Sequence, residues 1–159
     1  MSKVNEDTIR QFANSQARSI EAKDPKLVSS TLADNCRRIM APASFMKSMG
    51  LPDELAKQGS SNETYEQQFA MQMPFVQSTS CDIHDISLDQ QNSKATVHLT
   101  HQIKLLGMEE DFFIENMILL DFDKQGERIE KIVEFTDVVE SVKYMQALQG
   151  LAAAKQDSF

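Results

Sequence analysis

The spacing of apolar residues changes period part-way along the chain, and that change limits the fold more than any single motif does. From residue 79 onward the runs "CDIHDISL", "KATVHLTHQIKLL", "EDFFIENMILLDF" and "RIEKIVEFTD" alternate between apolar and polar residues. A period of two belongs to half-buried strands, whose successive side chains point to opposite faces. The segments "DQQNS", "GME" and "DKQGE" between the runs are hairpin punctuation, so this half of the chain predicts an antiparallel meander.

Ahead of the meander the pattern is helical. "NEDTIRQFANSQARSIEAKD" opens on Asn5 as an N-cap, sets Glu6 and Asp7 at the positive end of the helix dipole, and spaces Ile9, Phe12, Ala13 and Ile20 along one face. Asp24 followed by Pro25 restarts the pattern in cap-then-N1 order, predicting a short second helix through Leu27, Val28, Thr31 and Leu32. "NCRRIMAP" then reads as a short strand, on which alternation sends Arg37 and Arg38 to opposite sides. Residues 46–62, with Gly50, Pro52 and Gly59, read as a loop with one helical turn after Pro52, and they are the candidate lid. Ser61 or Asn62 can cap a further helix carrying Tyr65, Phe69 and Met73, which Pro74 ends. A last helix presents Val142, Met145 and Leu148 and runs into a polar, flexible tail over 152–159. The expected architecture is a single α+β domain over 1–159, with its core at about 6–148 and helices packed on one face of a strongly curved antiparallel sheet.

The 159 residues suffice for one core without disulfide or metal staples, and 41% hydrophobic with 25% charged residues are globular proportions. No apolar run approaches the roughly 18–20 residues that span a bilayer. A formal charge of −8 argues against nucleic acid and against anionic membrane surfaces, both of which need a basic face. The N-terminal "MSKVNEDTIR" lacks the apolar stretch of a secretory signal, and Cys36 and Cys81 read as free buried thiols, so a reducing, cytoplasmic setting is expected. Glycine-rich phosphate loops, GxSxG, HExxH and paired CxxC motifs do not occur, and neither a cofactor nor a metal is expected.

Three groups of residues carry a family resemblance: Cys36-x-Arg38 with Pro42-x-Ser44-Phe45, His98-x-Thr100 ahead of Gly107, and Ile129-x-x-Ile132-x-Glu134-Phe135-x-Asp137. Together with the element order, they resemble the SnoaL-like group of the nuclear-transport-factor-2-like superfamily, in particular its small fungal members from secondary-metabolite pathways. The resemblance implies the cone-shaped fold shared with ketosteroid isomerase and scytalone dehydratase. It also implies cofactor-free isomerases, cyclases and semipinacolases acting on polycyclic intermediates: meroterpenoid, polyketide (xanthone-type) or indole alkaloid.

In such a cone the first strand lies at the mouth, and Arg38 is the arginine at the motif position. It is either a fixed donor for an oxygen that gains negative charge, or a structural partner of Glu134, Asp137 or Glu115. The resemblance turns Ile132 and Glu134 into the pocket, where Glu134 would sit among Ile118, Leu120, Ile132 and Phe122 with its pKa raised by desolvation. Asp137 is a candidate for catalysis or for capping the next helix. His98 and His101 fall on opposite faces of one strand: the family pattern favours His98, whereas the apolar stripe of Val97, Leu99 and Ile103 favours His101 as the buried one. His84 is a weaker candidate. Glu115 aligns with an acidic family position, and Asn116 lies on the opposite side of the strand. Met40, Phe45, Tyr65, Phe69 and Met73, with Met46, Met49, Met71 and Phe75, are candidates for a compliant wall around a hydrophobic ligand, or for plain core. Cys36 reads as a packed thiol before it reads as a nucleophile.

Three functions compete on this reading: an acid–base isomerase-type enzyme with a hydrophobic small-molecule substrate, a non-catalytic binding or interaction module on the same fold, and a purely structural dimerisation domain. "FFIENMILLDF" is apolar on both faces, so a homodimer through the sheet is expected in each case.

Overall fold

The computed structural model describes residues 3–157; the last two residues of the expected tail lie outside them. Helix α1 (Glu6–Ala13) starts as predicted, with the Asn5 side chain accepting a hydrogen bond from the Asp7 N–H at 2.9 Å. The single long helix expected here breaks at Asn14. Its side chain donates to the Arg10 carbonyl at 2.9 Å, competing with the helix backbone, and α2 (Ser15–Ala22) begins anew. Asp24 caps the next turn through the Lys26 N–H at 3.0 Å, but Pro25–Ser29 winds as a 3-10 turn and Leu32 already opens strand β1 (Leu32–Ala41).

The expected loop holds two short helices, α3 (Ala43–Ser48) and α4 (Asp53–Gln58), the second directly after Pro52. Helix α5 (Asn62–Gln72) is capped by Ser61, whose Oγ accepts from the Thr64 N–H at 3.2 Å. The meander follows as β2 (Val76–Asp89), β3 (Lys94–Leu105), β4 (Phe112–Phe122) and β5 (Ile129–Thr136). Helix α6 (Val138–Asp157) runs through most of the segment expected as a tail. Alanine-rich sequence favours helix there, and Ala147, Leu148 and Leu151 pack against the core.

The sheet order is β1-β5-β4-β3-β2. The meander is antiparallel as expected, and β1 joins β5 in parallel, which makes the sheet mixed. A parallel partner requires a long crossover, and everything from α3 to β4 supplies it. Helix α2 packs on β2, α5 on β1 and α6 on β4. Inward-facing residues form two apolar clusters. One gathers Ile9, Phe12, Cys36, Val97, Leu99, Ile118, Leu120 and Ile132. The other gathers Val76, Ile103, Leu105, Ile114 and Tyr144.

Candidate active site

Each of the five strands has a polar residue interrupting its inward apolar row, β5 carrying Thr136 besides Glu134, and the register aligns five of these interruptions. Thr79 on β2 pairs with Ile103, two residues from His101 on β3. His101 pairs with Ile114, two residues from Asn116 on β4. Asn116 is two residues from Ile118, the partner of Glu134 on β5. Glu134 is two residues from Ile132, the partner of Arg38 on β1. Thr79, His101, Asn116, Glu134 and Arg38 therefore form a diagonal stripe across the whole concave face, with one apolar cluster on either side. Diagonal neighbours of this kind lie within reach of one another, at about 7–8 Å between backbones.

The stripe lines a cavity of about 610 Å³, a size ordinary for a small-molecule site. Val76, Ile103, Ile114 and Tyr144 of the second cluster border it, and Met40, Phe45, Met46, Met49 and Leu55 surround the side under α3 and α4. Tyr65 and Phe69 enter from α5.

Arg38 and Glu134 are both buried, and Arg38 Nη1 lies 3.7 Å from Glu134 Oε2. That distance is an ion pair without a hydrogen bond. The guanidinium carbon sits 3.6 Å from the centroid of the Tyr65 ring, and Arg38 Nε has no partner. Burial raises the Glu134 carboxyl above its ordinary value, and the Arg38 charge offsets only part of the shift. The His101 imidazole is lowered to about 4 by burial, with the Arg38 charge adding to the effect, so it is neutral at physiological pH. Burial also raises the Tyr65 phenol, whose oxygen accepts from Gln16 Nε2 at 3.0 Å. The cavity thus offers a carboxyl group poised to exchange a proton, a permanent cation and a neutral imidazole on one wall.

Arg37 points the other way, as alternation requires, and is exposed. Its Nε donates to the Gln58 carbonyl at 3.0 Å and its Nη2 to the Gly59 carbonyl at 2.6 Å, clasping the end of α4. Arg38 and Ser60 exchange backbone hydrogen bonds at 2.9 and 2.8 Å. Gly59 has φ +71, and a Cβ there would collide with the Arg38 carbonyl oxygen. One arginine holds the lid and its neighbour enters the cavity beneath it.

Several sequence-predicted site residues lie elsewhere. His98 faces outward and pairs with Glu115 at 2.6 Å, so neither reaches the cavity; strand alternation places both on the far face. His84 is exposed beside them, bonded to Thr100 at 2.7 Å. Asp137 caps α6, accepting from the Glu140 N–H at 3.1 Å. Ile118 and Ile132 share the inward face but lie in the closed core, and Met73 opens a 3-10 turn without joining the lining, between the lining residues Gln72 and Val76. Conversely, Tyr144 and Ser141 of α6, Thr79 of β2 and Gln16 of α2 line the cavity without having been expected. Ser141, Tyr144, Met145 and Leu148 do follow helical spacing on one face, which was the available signal. Cys36 and Cys81 are pushed up to about 11 and about 12, chiefly by burial, and are packed thiols.

No three His, Cys, Asp or Glu side chains among the described residues are grouped to hold a metal. No helix among them is long and apolar enough to cross a membrane.

No protein-family model and no curated protein matches the sequence. Solved structures do match the fold. The chain is similar to BvnE pinacolase from Penicillium brevicompactum, at 19% identity and a TM-score of 0.66, over 92% of this chain and 99% of that one. It is similar to PrhC from Penicillium brasilianum, at 18% identity and a TM-score of 0.67, over 94% and 91% of the two chains. A Catenulispora acidiphila protein described as having a ketosteroid isomerase-like fold matches at 11% identity and a TM-score of 0.56, over 80% and 82%. The chain has the ketosteroid isomerase-like fold. In this fold the concave face of the sheet and its covering helices form the cone, and the polar stripe of the present chain runs along the inside of that cone.

Proposed function

We propose that the chain is a cofactor-independent isomerase-type enzyme that rearranges a polycyclic secondary-metabolite intermediate, of meroterpenoid, polyketide or indole-alkaloid type, by acid–base catalysis. The observation that carries this reading is Glu134: a buried carboxyl on a cavity wall, 3.7 Å from its nearest cation, with its proton affinity raised by burial. A catalytic acid or base works best when its pKa lies near the working pH, and desolvation moves a carboxyl in that direction. The fold match to a fungal pinacolase supports a rearrangement in particular.

In such a step, Glu134 takes the proton of a substrate hydroxyl. The oxygen's electron pair closes a new carbonyl as a carbon substituent migrates to the neighbouring electrophilic carbon. The oxygen on that carbon takes up the negative charge, Arg38 holds it, and Glu134 returns the proton. Nothing is gained or lost overall. Arg38 suits its part because a guanidinium stays protonated and its fixed donors need no rearrangement as charge develops. The methionines and leucines under the lid would exclude water from the step.

Two further features belong to the proposal. The outer sheet face exposes Phe113, Met117, Leu119 and Phe135, and it would be covered in a homodimer. Two free thiols, Cys36 buried and Cys81 half-buried, suit a cytoplasmic setting.

The test is metabolite profiling of the source organism with and without the gene, followed by addition of purified protein to extract from the strain lacking it. Conversion of an accumulated compound by wild type, with Glu134→Gln and Arg38→Met folded but slower by about 10²–10⁴, supports the enzyme. Identical profiles and no conversion would favour a binding module instead.

A further inference from the structure

Within the stripe, Thr79, His101 and Asn116 lie on three adjacent strands. Thr79 Oγ1 and Asn116 Oδ1 are buried without any hydrogen-bond partner, and the His101 ring makes no hydrogen bond among the described residues. Other polar groups of the cavity are satisfied among themselves, whereas Arg38 Nε, like Thr79 Oγ1 and Asn116 Oδ1, has no partner. Thr136 Oγ1 bonds Ser141 Oγ at 2.8 Å, Tyr144 donates to Gln72 at 3.0 Å, and Tyr65 accepts from Gln16 at 3.0 Å. Buried polar groups in folded proteins are nearly always satisfied, so the two orphaned oxygens on the strands flanking His101 need a reason.

We infer that Thr79, His101 and Asn116 form a second polar subsite of the cavity, which holds a neutral alcohol group of the ligand at a distance from the Arg38–Glu134 pair. The chemistry of the three groups selects that ligand class. Asn116 Oδ1 accepts, a neutral imidazole offers one donor and one acceptor, and the threonine hydroxyl does both. The complement is a group that donates and accepts at once. A carboxylate or phosphate has no proton to give Asn116, and an ammonium would share the cavity with Arg38. Burial and the Arg38 charge hold His101 in the neutral form that this pattern needs. The inference deepens the enzyme reading, since it says how a substrate would be oriented with its reacting end at Glu134.

Two rigid probes of nearly equal shape test it: the bridgehead alcohol of adamantane and its bridgehead methyl counterpart. Their affinities are measured by NMR titration, following the Asn116 side-chain amide and the His101 ring, for wild type, Thr79→Val and Asn116→Leu. The wild type is expected to bind the alcohol about tenfold more tightly than the hydrocarbon. Each variant is expected to lose most of that preference while melting at a higher temperature, because it removes a buried polar atom that has no partner. A structural role for the two side chains would lower the melting temperature instead. Equal affinity for the two probes, no detectable binding of the alcohol, or variants that keep the preference or melt lower would each overturn the subsite. The acid–base reading fails separately: turnover of the extract compound that depends on Glu134, together with no alcohol preference, would remove the subsite and leave the enzyme.

Discussion

Arg38 and Glu134 lie on neighbouring strands with 3.7 Å between Nη1 and Oε2, buried but without a hydrogen bond between them. A tight structural bridge would be shorter and would hold Glu134 ionised. Here desolvation prevails over the attraction of the guanidinium, and the carboxyl retains its proton more readily than in water. Glu134→Gln, which mimics the protonated acid, should therefore leave thermal stability at neutral pH unchanged or raised. A loss of about 3–5 kcal/mol, the usual cost of breaking a buried ion pair, would identify the pair as structural.

The two titrating groups of the stripe give stability slopes of opposite sign. His101 has a folded value of about 4 against an ordinary 6.5, so its contribution is complete above pH 6.5 and is lost as pH falls through about 4. Two and a half units correspond to about 3 kcal/mol. Glu134 has a folded value raised above 4.5, so stability falls as pH rises from that ordinary value through the folded one. Denaturant unfolding across pH should show both slopes. His101→Gln should flatten the acid side, and Glu134→Gln should flatten the other.

Arg37 links the lid to the strand that carries Arg38. Arg37→Ala should speed hydrogen exchange over residues 46–60 while lowering global stability by only about 1 kcal/mol, because the bonds lost are exposed. Gly59→Ala should do more harm, about 1–3 kcal/mol, since the site combines positive φ with a collision against the Arg38 carbonyl. Unchanged exchange in Arg37→Ala would mean that the lid is held by other contacts.

The outer face of the sheet predicts self-association. Phe113 is 54% exposed and Phe135 is 44% exposed, more than aromatic side chains in the middle of a sheet face usually are. Sedimentation at micromolar concentration should give a dimer, and Phe135→Lys should give a folded monomer. A monomeric wild type would leave this face without its proposed partner.

The strands of the meander were legible from their alternation, which the inward rows of β3 and β4 follow residue by residue, while β2 and β5 break it with irregularities that left the runs recognisable. The same alternation separated Arg37 from Arg38 and Glu115 from Asn116. Register was not legible, since it depends on which residues face each other across hairpins, and without it the five polar interruptions could not be seen as one stripe. His98 shows the consequence: as a motif position it was a fair candidate, and only the inward side of β3 decided for His101. The break at Asn14 was also hidden, because a side chain bonding back to its own helix leaves no mark in hydrophobic spacing. The parallel pairing of β1 escaped for a related reason, as a strand isolated among helices carries no signal of its partner's direction.

Whether Glu134 is a carboxyl poised for proton exchange or one half of a fixed salt bridge can be read directly, because its side-chain carboxyl carbon can be followed by NMR as a function of pH. A midpoint clearly above 4.5 that rises further when the Arg38 charge is removed, as in Arg38→Met, is the predicted result. A midpoint at or below 4.5 in the wild type would mean that Arg38 holds the carboxylate ionised, leaving it too weak a base for the proposed proton transfer.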